Sequence, residues 1–331
     1  MKKTLAILTA LLPLSLSAQT NPPLQVYTYD SFSADWGAGP KIKTDFERQF
    51  PQCKLNYVAF DNNGVLFNRV RLEGKKIKAD IVLGLDNHQI DEAQKLNIFT
   101  PHKLDLATIN LPIVWQNNTF LPYDFGQYAF IYDKNKLTNP PKSLKELVER
   151  KDLKVLYQDP RTSSIGRGML LWMNKVYTPS EIAEAWQKLA THTVTVTKGW
   201  TEAYGAFLKG EGDMVLSHNT SPLYHLLSEQ KDHYAAAEFK EGGILQIEVA
   251  AKVTHSKTPC ADNFLNFLIE PTAQQYVAKY NVMLPITATP VEPHIDALRA
   301  KQMATPILET TSITTDQLKT WITQWQKALA Q

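Results

Sequence analysis

The 331-residue chain carries 35 basic residues, 33 acidic residues and two cysteines. Setting aside Lys2 and Lys3 leaves 33 charges of each sign, so no excess charge draws the protein to nucleic acid or to a membrane surface. The length is more than one hydrophobic core usually serves, which predicts two lobes.

Residues 1–18 have the layout of an export signal. Met1-Lys-Lys is basic, Leu5 to Leu16 is apolar, and Ser17-Ala18 offers small residues for cleavage after either one. The apolar run is too short for a membrane span, and no cysteine near the cut offers a site for lipid attachment. The expectation is a soluble, exported, periplasmic protein.

Leu24–Tyr29, Lys54–Phe60 and Asp80–Leu85 read as strands, with helical patterns at 40–50 and 64–73 between them. That alternation predicts a parallel sheet with helical crossovers. The strands are short apolar runs, as expected when both faces are covered. Tyr123–Tyr132 is a longer β-like segment. A second α/β set follows, with strands Lys154–Gln158, Thr193–Thr197 and Asp213–Ser217 and helices near 164–176, 180–190, 201–209 and 221–229. Ser143-Leu-Lys-Glu146 and Thr178-Pro-Ser-Glu181 are capping boxes, the second with Pro179 at the first helical position. Ile244–Val253 is again long and β-like.

The two long segments are expected to be the hinge crossings of an α/β, two-lobe architecture, each lobe a mostly parallel sheet flanked by helices. Residues 19–124 and 250–285 form lobe 1 and residues 125–249 form lobe 2. Residues 286–331 form a C-terminal helical segment on lobe 2, ending in the amphipathic helix Thr315–Ala330.

Such a fold places its ligand between the lobes, where strand carboxyl ends and helix N-termini converge. Three loop-to-helix junctions stand out: Asp159-Pro-Arg-Thr-Ser-Ser-Ile-Gly-Arg-Gly168, Lys198-Gly-Trp-Thr-Glu-Ala-Tyr204 and Ser217-His-Asn-Thr-Ser-Pro-Leu-Tyr-His225. Unpaired backbone N–H groups make each a ready anion site. Ser163 and Ser164 fit either a helix cap or a ligand contact, and Gly166 and Gly168 allow close approach to the backbone. Trp200 and Tyr224 add flat π faces.

From lobe 1, Tyr27-Thr-Tyr-Asp-Ser31 and Asp61-Asn-Asn-Gly64 face these junctions. Tyr29, nearer the strand end, is a better cleft residue than Tyr27. Asp30 and Asp61 suit either a cation or an ordinary turn. Together these features describe a cleft for a small, flat ligand with a polar or anionic tail.

His218 is the one histidine placed in the site; five others, among them His88, His102 and His255, read as surface residues. No Cys-x-x-Cys, His-Glu-x-x-His or Asp-rich calcium loop occurs, so no metal is expected. No Gly-x-Ser-x-Gly occurs, and neither cysteine has a histidine or acid nearby in sequence. Cys53 and Cys260, about two hundred residues apart, could be paired or free in an oxidising compartment.

Several long motifs, in order, resemble the periplasmic thiamine-binding proteins of bacterial ABC importers. They are Val26-Tyr-Thr-Tyr-Asp-Ser-Phe32 with Asp35-Trp-Gly37, Lys78-Ala-Asp-Ile-Val-Leu-Gly-Leu-Asp-Asn87, Tyr157-Gln-Asp-Pro-Arg-Thr-Ser163, Thr193-Val-Thr-Val-Thr-Lys-Gly-Trp200 and Thr220-Ser-Pro-Leu-Tyr224. The likeness spans about residues 24–285. It implies a type II periplasmic binding-protein fold, acting as a monomer without catalysis or cofactor. The implied ligand is thiamine, its monophosphate or its diphosphate, delivered to an inner-membrane ABC permease and its ATPase.

By matching motif, Tyr29, Trp200 and Tyr224 hold the rings and Asn62 and Asn63 contact the ligand from lobe 1. Ser163 and Ser164, with His218, Asn219, Thr220 and Ser221, receive the hydroxyethyl or phosphate end. Two departures bear on affinity. Asn281-Val-Met-Leu-Pro285 stands where the family has Asn-Trp-Met-Tyr-Pro, and His218-Asn219 where it has Tyr-Thr. Two alternatives stay open, a site for another organic cation such as a polyamine, and an enzyme like thiaminase I, which resembles the same fold and uses a cysteine nucleophile.

Overall fold

The computed structural model describes residues 22–305, 307–308 and 313–330; the expected signal segment lies outside them. Among the described residues the strands are β1 (Leu24–Tyr29), β2 (Leu55–Phe60), β3 (Ile81–Asp86), β4 (Phe99–Thr100), β5 (Phe120–Asp133), β6 (Val155–Gln158), β7 (Thr193–Thr197), β8 (Met214–His218), β9 (Tyr234–Ala236), β10 (Leu245–Val253) and β11 (Leu284–Pro285). The main hydrogen-bonded order is β2-β1-β3-β10-β5-β8-β6-β7.

β5 belongs to both lobes. Its first half, Phe120 to Gln127, pairs antiparallel with β10, and its second half, Tyr128 to Tyr132, pairs antiparallel with β8. One continuous strand therefore carries the chain from the first sheet to the second. β1 pairs parallel with β2 and β3, and β6 pairs parallel with β7 and β8. Each sheet is thus parallel in its outer strands and antiparallel where the crossing strands enter.

Burial follows position in the sheet. β3 and β6 are buried at every residue, as expected for strands covered on both faces. β2 and β7 depart from that expectation: both are edge strands, and several of their residues are exposed. The first sheet is sandwiched between two apolar layers. One contains Val26, Ile42, Phe46 and Phe264, and the other Leu66, Phe67, Val82 and Val249.

The chain returns to the first lobe before Leu245, since β10 lies wholly beside β3, β4 and β5. The return therefore comes a few residues ahead of the expected boundary at 249/250. The C-terminal segment also differs from expectation, because it divides between the lobes. Helix Pro293–Ala304 buries Ile295 in the first-lobe core, and Arg299 ties it to the carbonyls of Pro285 (2.9 Å) and Asn110 (2.7 Å). Helix Thr315–Leu329 packs on the second lobe through Leu318, Trp325 and Ala328. Each helix goes where its own apolar face finds a partner.

Cys53 and Cys260 form a disulfide with Cα atoms 5.5 Å apart. It joins the turn after helix Ala38–Gln49 to the start of helix Pro259–Leu268, entirely within the first lobe.

Candidate functional site

The parallel strands aim their carboxyl ends at the space between the sheets, and the side chains there line a cavity of about 370 Å³. From the first lobe come Tyr29 and Asp30 at the end of β1, and Asp61, Asn62 and Asn63 after β2. The second lobe supplies Ser163, Trp200, His218, Ser221 and Tyr224. Three widely separated junctions of the second lobe therefore meet on one surface.

The aromatic wall is held by polar bonds behind it. Trp200 opens helix Trp200–Leu208 after Gly199, and its ring stacks on Tyr204 with centroids 5.0 Å apart and planes 22° apart. Trp200 Nε1 donates to Ser217 Oγ at 2.7 Å, and Ser217 Oγ lies 2.7 Å from Ser221 Oγ. The Tyr204 hydroxyl is 2.9 Å from His225 Nε2, whose Nδ1 is 2.8 Å from Glu229. Tyr224 is exposed at the rim of the same wall.

At the other end, Ser163 caps helix Ser164–Val176 by accepting from Gly166 N. Asn62 caps helix Asn63–Glu73 through Oδ1, which accepts from Val65 N at 2.9 Å. Its Nδ2 is buried without an acceptor among the described residues. The helix caps and the ligand surface are therefore built from the same residues.

Not every expected residue reaches the cavity. Ser164 is fully buried behind it, its Oγ accepting from Asn63 Nδ2 and, at 3.3 Å, from Gln246 Nε2. Asn219 is turned away: its Oδ1 accepts from Gln127 N at 3.1 Å and its Nδ2 donates to Gln302 at 2.7 Å. Thr220 is buried at the start of helix Ser221–Glu229, against Met283. Tyr27 points elsewhere, to Glu73. His88 and His102 are buried, not on the surface; His88 sits behind the cleft with its backbone N–H on Asp86.

Residues outside the expected ligand set complete the cavity lining, some of them within motifs already noted. Trp36, exposed at the mouth, belongs to the Asp35-Trp-Gly37 motif. Tyr280, Asn281, Val282 and Met283 form one side of the cavity. Val282 has φ 54°, a left-handed conformation that a β-branched residue rarely adopts. Glu248, on β10, is the least expected. The signal for it was a lone carboxylate inside the apolar run Leu245-Gln-Ile-Glu-Val-Ala-Ala251.

Glu248 is buried and stands opposite Asp124 in the β10/β5 register. Its Oε2 accepts from Tyr29 (2.7 Å), Tyr123 (3.1 Å) and Asn281 (3.2 Å). Burial pushes Glu248 up to about 7. Burial, and then the facing Glu248, push Asp124 well above the usual carboxylate range. Burial takes His218 down to about 4, so its ring is neutral near Gln246. Among the described residues no cluster of three or more His, Cys, Asp or Glu side chains could hold a metal ion.

The lobes meet around the cavity. Lys198 pairs with Asp61, Thr201 donates to Asp30, and Arg167 Nη1 reaches Glu92 at 3.1 Å. At Gly64 the backbones are so close that a Cβ would fall 1.7 Å from the Thr162 carbonyl oxygen.

Residues 76–302 match the family described as bacterial extracellular solute-binding protein. The thiamine-binding periplasmic protein of Haemophilus influenzae is 57% identical over 99% of this chain and 98% of its own length. The protein of the same description from Escherichia coli is 50% identical over 93% of this chain and 94% of its own. A solved structure titled periplasmic thiamin binding protein superposes with a TM-score of 0.88 at 48% identity, covering 97% of this chain and all of the other. With that cavity, that fold and identity along almost its whole length, the chain belongs to the bacterial extracellular solute-binding proteins and, within them, to the periplasmic thiamine-binding proteins.

Proposed function

We propose that this chain captures thiamine in the interlobe cavity and delivers it to an inner-membrane ABC permease and its ATPase. The carrying observation is the meeting of Tyr29, Trp200 and Tyr224 around one cavity that the buried carboxyl of Glu248 also borders. Thiamine offers a flat aminopyrimidine and a permanently cationic thiazolium, and aromatic faces attract such a cation by roughly 0.5–2 kcal/mol each.

In this reading the hydroxyethyl end points to Asn62, Asn63 and Ser163. The start of helix Ser164–Val176 also suits a phosphate there, so the mono- and diphosphate are ligands as well. The lobes open by bending where β5 passes from one sheet to the other and where the chain re-enters at β10. The full-length relatives are named for thiamine, which favours it over a linear polyamine. A thiaminase-like thiol attack is disfavoured because both cysteines are joined in a disulfide away from the cavity.

The test is calorimetric titration of ligand-stripped protein with thiamine, its monophosphate and its diphosphate. Saturable binding supports the reading, and equal or tighter binding of the esters supports the phosphate end. No heat with any of the three refutes it.

A further inference from the structure

Three carboxyl side chains form a row across the middle of the first sheet. Asp86 on β3 is opposite Glu248 on β10, and Glu248 is opposite Asp124 on β5. All three are buried. Like charges directly opposite in a sheet repel, and a buried charge without a counter-charge is costly. Something must neutralise the row.

Asp86 has its own support. Its Oδ1 accepts from His88 N at 3.0 Å, its Oδ2 accepts from Gln246 Nε2 at 3.0 Å, and Arg167 is close enough to act on it electrostatically. The Glu248–Asp124 pair is held by neutral donors alone. Tyr29 and Tyr123 are neutral donors, their phenols pushed well up by burial. Asn281 reaches both carboxyls but is also neutral, with 2.7 Å to Asp124 Oδ2. Asp124 Oδ1 has no donor among the described residues, although the two carboxyl groups are in hydrogen-bond contact. A proton between them satisfies that contact. Glu248, unlike Asp124, also borders the cavity.

We propose that Asp124 and Glu248 form a subsite where a ligand cation displaces a proton, so that thiamine capture releases a proton to solvent. The inference rests on the thiamine reading. In the empty cavity below neutral pH both carboxyls are protonated. When the cation enters, Glu248 ionises, its proton leaves, and charge balances as one positive charge enters and one departs. Asp124 keeps its proton and donates it to Glu248.

Asp86 faces Glu248 from β3, and Asp30 and Asp61 border the same cavity. His218, from β8, is held neutral by burial. Lys279 borders the same cavity from the short helix Val277–Asn281. The sign follows from Glu248 standing near 7 when the cavity is empty and lower when a cation is bound. Affinity is full above that value and falls as pH drops below it, by about tenfold between pH 8 and pH 6.

The experiment is thiamine titration from about pH 6 to about pH 8.5 in pairs of buffers with different ionisation heats, which counts released protons. Wild-type protein should release a proton below neutral pH and weaken about tenfold toward pH 6. Glu248→Gln should bind more weakly at high pH, release no proton and show a flat pH profile. Asp124→Asn is a second variant in case the first does not fold. Tyr29→Phe removes the 2.7 Å donor and should move the midpoint to higher pH. Wild-type binding with no proton release and a pH-independent Kd overturns the proposal. So does proton release that persists in Glu248→Gln. Absence of thiamine binding at every pH refutes the function reading itself, and the subsite with it.

Discussion

Arg167 and Glu92 meet across the cleft, Nη1 to Oε1 3.1 Å, with both side chains almost fully buried. One comes from the second lobe's helix Ser164–Val176 and the other from the first lobe's helix Ile90–Gln94, so the pair exists only while the lobes are together. Removing one member of a buried pair leaves the other unpaired and costs about 3–5 kcal/mol. Here Arg71, 3.2 Å from Glu92, and opening of the cleft soften the loss. Arg167→Ala should therefore weaken thiamine binding by about tenfold to a hundredfold, roughly 1–3 kcal/mol. Calorimetry gives the affinity, and small-angle scattering should show a larger mean radius for the variant.

Gly64 permits a close backbone approach between the lobes. Gly64→Ala places a methyl where the Thr162 carbonyl already sits, so closure as seen here cannot complete. The expected outcome is an unchanged melting curve for the ligand-free protein and a Kd raised by about a hundredfold, as when the competent state becomes rare. Normal affinity in this variant would show that capture does not need the Gly64–Thr162 contact.

Trp200 contributes both a face and a fixed orientation. Trp200→Ala should cost about 1–2 kcal/mol of binding, roughly tenfold in Kd, through the lost stacking and cation–π attraction. Trp200→Phe keeps a face but loses the 2.7 Å bond to Ser217. It should fall between the two, with more weakening than a change of ring area alone predicts. Titrations of the three proteins side by side decide the order.

The disulfide is a stability element apart from the site. Replacing Cys53 and Cys260 with alanine should lower stability by about 2–4 kcal/mol, seen as a lower melting midpoint. Thiamine affinity should stay within about twofold of wild type, since neither cysteine borders the cavity. A large loss of affinity would place one of the thiols in the binding machinery.

The architecture was readable because each strand and helix announces itself locally. The runs Leu24–Tyr29 and Thr193–Thr197 and the helix 221–229 have the expected bounds. That Tyr29, Trp200 and Tyr224 line the cavity was readable for the same reason, as aromatics at strand ends and helix starts. Asn219 and Thr220 were expected at the cavity but do not line it, because a junction sequence does not say which way each side chain turns. Glu248 and Asp124 were missed because their meaning lies in register. Nothing within either strand says that residues more than a hundred positions apart stand opposite each other. The division of the C-terminal segment was hidden for a similar reason, since an amphipathic helix shows that it packs but not on what.

The aromatic wall has a further consequence for what the protein lets through. Two of its polar groups are already engaged: the indole N–H with Ser217 and the Tyr204 hydroxyl with His225. A ring lying against Trp200 therefore meets a surface that requires no matching donor or acceptor. Altered rings of similar size and charge should be accepted there with small loss, and scrutiny of substituents falls on the opposite wall, around Tyr29 and Asn281. An importer built this way is open to ring-modified mimics of its vitamin, which makes the same cavity an entry route for antimetabolites.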